Sequence, residues 1–257
     1  MVYIFIFLLG LAVGSFLNCL IYRLEKNESF VGGRSYCPHC KHALQWIDLI
    51  PLISFFFLGG RCRYCHEKIS VQYPIVEIAT AVIFLLIFNI FPPISHMAEV
   101  INLIFLFYIA SSLIVILVYD LKFYLIPDKV LFPAIIITLL YRLLLAGEGG
   151  IWNYILAALA ASGFFLFLFL LSRGEWMGFG DVKLAILLGL LLGFPNILVG
   201  LFLAFLFGAI IGLGLLFLKK KGLKSEIPFA PFLIIGTFLA MFFGIQLIQW
   251  YSNFLLL

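Results

Sequence analysis

A chain of 257 residues that is 65% hydrophobic, 18% aromatic and only 11% charged carries less than half the charge of an ordinary soluble domain, which is about 25% charged. Those proportions exclude a water-soluble globule and make the bilayer the solvent for most of the sequence. The net charge of +4 follows membrane topology, argued below, so no nucleic-acid partner is expected.

The first apolar run, residues 2–21, is long enough at about 1.5 Å per residue to cross about 30 Å of hydrocarbon. It lacks the basic start and the small-residue cleavage motif of a signal peptide and reads as a retained helix. The first membrane segment is therefore 1–21. Residues 22–74 then break the pattern. This stretch is polar, carries four of the five cysteines and three of the four histidines, and ends at Pro74, a residue suited to opening the next helix. It predicts a small domain on the cytoplasmic side.

Within it, Cys37-Pro38-His39-Cys40 and Cys62-Arg63-Tyr64-Cys65 are two CxxC pairs separated by 21 residues, the spacing of a four-thiolate zinc site. In a reducing cytoplasm such cysteines are metal ligands rather than disulfides, and so short a loop has too little apolar core to hold itself together. Structural zinc on Cys37, Cys40, Cys62 and Cys65 is the reading. His39, His42 and His66 lie nearby without a ligand assignment, and Cys19 and His96 read as ordinary packing and loop residues.

Further spans are predicted at 98–119, 151–171, 196–218 and 232–251, with shorter or interrupted ones at 75–91, 130–145 and 182–194. Length leaves the last two ambiguous; charge resolves them. With eight spans and the N-terminus outside, every one of the 16 Lys and Arg residues except Arg142 falls in a cytoplasmic loop or domain. The chain therefore reads as an all-α polytopic membrane protein with about eight transmembrane helices. About seven of them lie in 75–257, beyond the cytoplasmic zinc-binding domain between helices 1 and 2. The external connections are brief, and no sequence repeat is evident.

Only four Asp residues occur, and position separates them. Asp120 ends one span and Asp181 opens another, after Gly178-Phe179-Gly180, so the topology brings both to the cytoplasmic membrane boundary. Ionisable groups at such depth are costly and functional by default. Two carboxyl groups in close approach share a proton, one acid and one anion, as needed to activate water and protonate a leaving amide. Gly178 and Gly180 permit unusual dihedrals and close approach of an extended peptide. The bland alternative has both acids at helix ends, solvated by headgroups or paired with Lys122 and Lys183. Asp128 follows Pro127 and reads as a helix N-cap. Glu77 reads as a structural residue that caps or pairs with a basic neighbour.

Gly14-Ser15-Phe16-Leu17-Asn18, Tyr22-Arg23, Cys37-Pro38-His39-Cys40, Asp48-Leu49-Ile50-Pro51, Gly60-Arg61-Cys62-Arg63-Tyr64-Cys65 and Tyr73-Pro74 with Glu77 continue through Asp120 and Ile126-Pro127-Asp128. They end with Gly178-Phe179-Gly180-Asp181-Val182-Lys183 and Ile227-Pro228-Phe229-Ala230-Pro231-Phe232. In these motifs, from residue 14 to 232, the chain resembles the type IV prepilin leader peptidases. The resemblance implies an inner-membrane aspartic peptidase of the GxGD type that cleaves prepilin or pseudopilin leaders at the cytoplasmic face after a glycine. Its catalytic aspartates fall on Asp120 and Asp181. Retention of all four cysteines implies a second activity, transfer of a methyl group from S-adenosylmethionine to the new N-terminal amine. No glycine-rich nucleotide-binding fingerprint occurs in the cytoplasmic segment, so the methyl-donor reading rests on the resemblance alone.

Overall fold

The computed structural model describes residues 1–29, 32–93, 96–145, 150–217 and 228–255. The basic cluster Lys219, Lys220, Lys221 and Lys224, all but Gly150 of the expected external connection at 146–150, and Ile227 lie outside the described residues. The described residues form α-helices with no β-strand. The helices are α1 (Val2–Glu25), α2 (Ile53–Phe57), α3 (Gln72–Ile90), α4 (Met97–Phe123), α5 (Asp128–Leu145), α6 (Gly150–Leu171), α7 (Phe179–Leu192), α8 (Asn196–Phe217) and α9 (Ala230–Leu255).

All but the five-residue α2 answer to the eight expected spans. Six of them, α1, α3, α4, α6, α8 and α9, are long and apolar enough to cross a membrane, as befits a multi-pass membrane protein. The two remaining are those whose length was ambiguous. α5 carries Asp128, Lys129 and Arg142 within its 18 residues, and α7 has only 14, about 21 Å of helix. Yet α7 is buried almost continuously from Asp181 to Leu192. It is a central helix walled by protein, so its length need not match the bilayer. It ends at Leu192, two residues short of the Phe194 that the sequence marked as its end, because Gly193 takes φ +64° and its N–H bonds to the Gly189 carbonyl. Only glycine adopts that conformation freely.

The chain forms two compact units, Met1–Val115 and Ile116–Leu257. In the first, α1 lies against α3 at close range. A Cβ on Gly10 would stand 2.5 Å from the Ala81 Cα, and one on Gly14 2.7 Å from the Glu77 Cα. Lipid tails are as apolar as leucine, so helices in a bilayer gain little from burying apolar surface against each other. Small residues that let backbones approach supply the packing instead.

The second unit repeats the device around α7. A Cβ on Gly189 would overlap the Ala157 and Ala158 backbone of α6, and one on Gly236 of α9 would meet the Gly200 carbonyl of α8. Arg142, the single cation that the charge pattern left on the far side, donates to the Leu190 and Leu191 carbonyls at 3.2 and 2.5 Å and stacks 3.8 Å from the Tyr154 ring. It satisfies orphan carbonyls at the C-terminus of α7, where a positive charge also suits the helix dipole. Membrane-buried hydroxyls bond back one turn, as Thr138 does to Ala134 and Thr237 to Leu233.

Candidate active site

The cysteine module hangs between α1 and α3 and is fixed mainly by polar contacts. Buried Arg23, near the end of α1, donates to the Ser29, Gly32, Gly33 and Arg34 carbonyls. Asn18 donates to Tyr73 O and accepts from Gln72. Glu77 neither caps α3 nor pairs with a base. It is buried in the helix, accepts the Leu52 N–H at 2.8 Å and bonds the Ser15 side chain. Leu52 itself sits at φ +59°, a strained conformation for a branched side chain that this bond helps to hold.

Two knuckles carry the cysteines, and they are copies of one another. In each, the first cysteine's N–H bonds to the carbonyl five residues on, Cys37 to His42 and Cys62 to Glu67. The residue four positions after that cysteine has positive φ, Lys41 and His66, and an antiparallel bridge closes the base, Tyr36 with Ala43 and Arg61 with Lys68. A local repeat therefore exists where the sequence reads as unrepeated, because only CxxC is common to the two copies and the rest is backbone geometry. The four sulfurs all lie within 4.8 Å of one another, with Cys37 and Cys65 at 3.9 Å, and none is in a disulfide. A tetrahedral ion with bonds of about 2.3 Å would need sulfurs about 3.8 Å apart. No histidine joins the cluster; His42 instead lies 3.7 Å from the Tyr64 ring.

The thiols do not ionise alike. Burial opposes a charge on Cys62, but the Cys65 and Tyr64 backbone N–H groups outweigh it and bring the thiol down to about 7. At Cys65 the Glu67 N–H favours the anion, yet burial and the neighbouring thiols prevail and push it up to about 12. So divided a set would become four equivalent ligands only if a cation offset the crowded charge. Beside it, the Asp48 side chain is covered while that of its partner Arg63 is half exposed, and the two meet at 2.6 Å. Desolvation works against the Asp48 anion, but the Arg63 guanidinium and the Gln45 N–H hold it below the usual carboxylate range.

In the second unit, Asp120 and Asp181 are 6% and 7% exposed. Asp120 lies one turn before the end of α4 and accepts the N–H of Ala230, the first residue of α9. Asp181 is the third residue of α7 and reaches back to the N–H of Gly178, the N-cap. Each carboxylate is thus held by a helix N-terminus, where backbone N–H groups have no partner of their own. Asp120 is near enough for its charge to act on Asp181.

Among the described residues neither acid forms an ion pair. Lys183 turns instead to Asp128 at 2.6 Å, with its ammonium over the Phe132 and Phe179 rings. That disposes of the Lys183 alternative for Asp181. It also moves Asp128 from an N-cap to the first residue of α5, as one end of a bridge to α7. The glycines work by space rather than by dihedral. Gly178 has φ −78° and ψ 151°, ordinary for any residue, and neither it nor Gly180 has positive φ. A Cβ on Gly180 would press on Ile126 at 3.2 Å, whereas at Gly178 nothing but Gly180 N lies within 4 Å. One glycine admits Ile126; the other leaves an open rim beside Asp181.

Two family models match the chain, the bacterial peptidase A24 N-terminal domain over residues 8–91 and the type IV leader peptidase family over 107–213. A prepilin leader peptidase/N-methyltransferase of Aeromonas hydrophila is 32% identical over 97% of this chain and 94% of its own length. The chain belongs to the type IV leader peptidase family. Relatives with the same name from Bacillus subtilis (strain 168) and Pseudomonas aeruginosa are each 30% identical, over 96% of this chain and 96% and 92% of their own lengths. No solved structure matches. Arg23 and Ala230 stand in motifs that carry the resemblance and Arg142 alone broke the charge pattern, but the contacts these three make were not legible in the sequence. Arg142 had a signal, the one cation that the charge pattern left off the cytoplasmic side. The Ala230 contact had none, since a backbone donor leaves no trace in residue type.

Proposed function

We propose that this membrane enzyme cleaves the leader from prepilins or pseudopilins with Asp120 and Asp181, and then N-methylates the new terminus. The observation that carries the reading is a pair of buried carboxylates in the same unit, each held by a helix N-terminus, within reach of each other's charge and without a basic partner among the described residues. Two such acids share one proton. The anionic member takes a proton from water as its oxygen adds to the scissile carbonyl. The protonated member delivers its proton to the leaving nitrogen as the C–N bond breaks, giving a free amine and a carboxylic acid that releases its proton to solvent.

Gly178 and Gly180 position the substrate, the open rim at Gly178 accepting the extended cleavage segment while the hydrophobic helix that follows it lies in the bilayer. Both acids and the 22–74 domain face the cytoplasm, which is where a short basic leader waits. Zinc on Cys37, Cys40, Cys62 and Cys65 would cross-link the two knuckles and supply folding energy to a module without a core. In the second reaction the unprotonated amine attacks the methyl carbon of S-adenosylmethionine. The carbon–sulfur bond breaks, S-adenosylhomocysteine leaves, and the amine sheds a proton.

The test is to incubate the reconstituted protein with a prepilin and methyl-labelled S-adenosylmethionine. A shortened, labelled pilin is expected. Asp120→Asn and Asp181→Asn should each lower cleavage by about 10³-fold, and full activity in either would sink the assignment.

A further inference from the structure

The segment between the knuckles leaves an apolar face exposed among the described residues, where Phe56 meets the Phe55 ring edge-on at 6.0 Å. In α2 the residues Ile53, Phe56 and Phe57 are 53%, 71% and 88% exposed. Their spacing i, i+3, i+4 puts them on one side of the helix. Phe55 points the other way and packs on Gly60. Trp46, just upstream, is exposed as well. Two adjacent phenylalanines and an isoleucine left in water on so small a module would be a liability.

The depth of this face is fixed by Glu77. α3 has 19 residues, about 28 Å of helix, so crossing about 30 Å of hydrocarbon takes its whole length. Glu77 is its sixth residue, about 7 Å in from the start, and it holds the Leu52 N–H. α2 follows Leu52 directly. It therefore lies at the membrane boundary, at the level of the first turns of α3, where Ile75 and Ile78 are exposed as well. Arg61 and Lys68, both exposed and paired in the bridge just beyond α2, stand at the height of anionic headgroups.

We propose that α2 is an interfacial anchor, its Ile53, Phe56 and Phe57 face inserted into the acyl boundary of the leaflet on the module's side, which pins the cysteine module to the membrane surface. The occupant of the face is lipid. A helix with one apolar side, an aromatic end and neighbouring cations is the ordinary design for lying in that interface. The anchor is independent of the peptidase reading.

The full-length protein is reconstituted in phosphatidylethanolamine and phosphatidylglycerol vesicles doped with a phospholipid that carries a diazirine near its glycerol. After illumination, lipid adducts are mapped by mass spectrometry. Adducts on the peptide containing 53–57 are expected at a yield within about threefold of those on α8, together with protection of Phe56 and Phe57 from hydroxyl radicals. Both should persist in nanodiscs holding one protein copy. Adducts on α8 but none on 53–57 would overturn the proposal. So would protection that disappears at one copy per disc, which would make the occupant a second chain. Phe56→Ser with Phe57→Ser should cut the adducts at least fivefold, and unchanged adduct yield in a folded double variant would count against the face as the contact.

Discussion

In the cysteine module the contacts that fix position are polar and mostly end on backbone: Arg23 on four carbonyls, Glu77 on the Leu52 N–H, Asp48 on the Gln45 N–H, and paired knuckles around four sulfurs. In the unit from Ile116 the position of α7 is fixed by missing side chains, Gly189 against Ala158 and Gly180 against Ile126, with Arg142 closing its far end. The difference follows from the solvent. A 50-residue loop has too little apolar surface for a core and must be stapled, whereas helices already in lipid need close shape more than further burial. The two regions should therefore fail in different ways.

The largest contrast concerns the sulfurs. Cys62→Ser should reduce bound zinc from about one ion per chain to none and leave the module open to protease while the helices of the second unit stay folded. Metal analysis with limited proteolysis reads both, and retained zinc or a global loss of helix would erase the distinction. Next comes Gly189→Leu, which cannot fit without moving the α6 backbone. It should cost about 3 kcal/mol, measured as thermal stability in detergent, with zinc content unchanged.

Asp48→Asn is smaller, about 1 kcal/mol in module stability, and its pH dependence has a definite sign. The folded carboxyl sits below its unfolded value of about 3.9, so its contribution is complete at pH 5 to 8 and is lost as pH falls through the folded value. The gap between wild type and Asp48→Asn should be flat across neutral pH and close only in stronger acid; a gap that closed near pH 6 would implicate another group. Lys183→Ala removes a half-exposed pair and should change stability by about 0.5 kcal/mol or less. A large effect would show that the bridge to Asp128 organises α7.

How much of this was legible in the sequence depended on what each interaction writes there. Apolar runs and CxxC pairs are patterns of residue type, so the helical membrane fold and the four-sulfur cluster could be read directly. Asp120 and Asp181 stood out because acids are scarce in this chain. Backbone geometry leaves less behind. The matched knuckles share only their cysteines, and Gly178 and Gly180 suggested unusual dihedrals where the helix in fact starts in ordinary ones and needs the space. Lys183 is two residues from Asp181 in sequence, yet on a helix that spacing turns the two side chains apart, which frees it for Asp128.

The most direct test of the central claim is the mass of a prepilin's N-terminal peptide after incubation with S-adenosylmethionine and either wild type, Asp120→Asn, Asp181→Asn or Cys62→Ser protein. The account predicts a shortened, methylated terminus from wild type and uncleaved prepilin from both aspartate variants, with the loss of zinc in Cys62→Ser felt at the module. A correctly shortened product from either aspartate variant at the wild-type rate would contradict it.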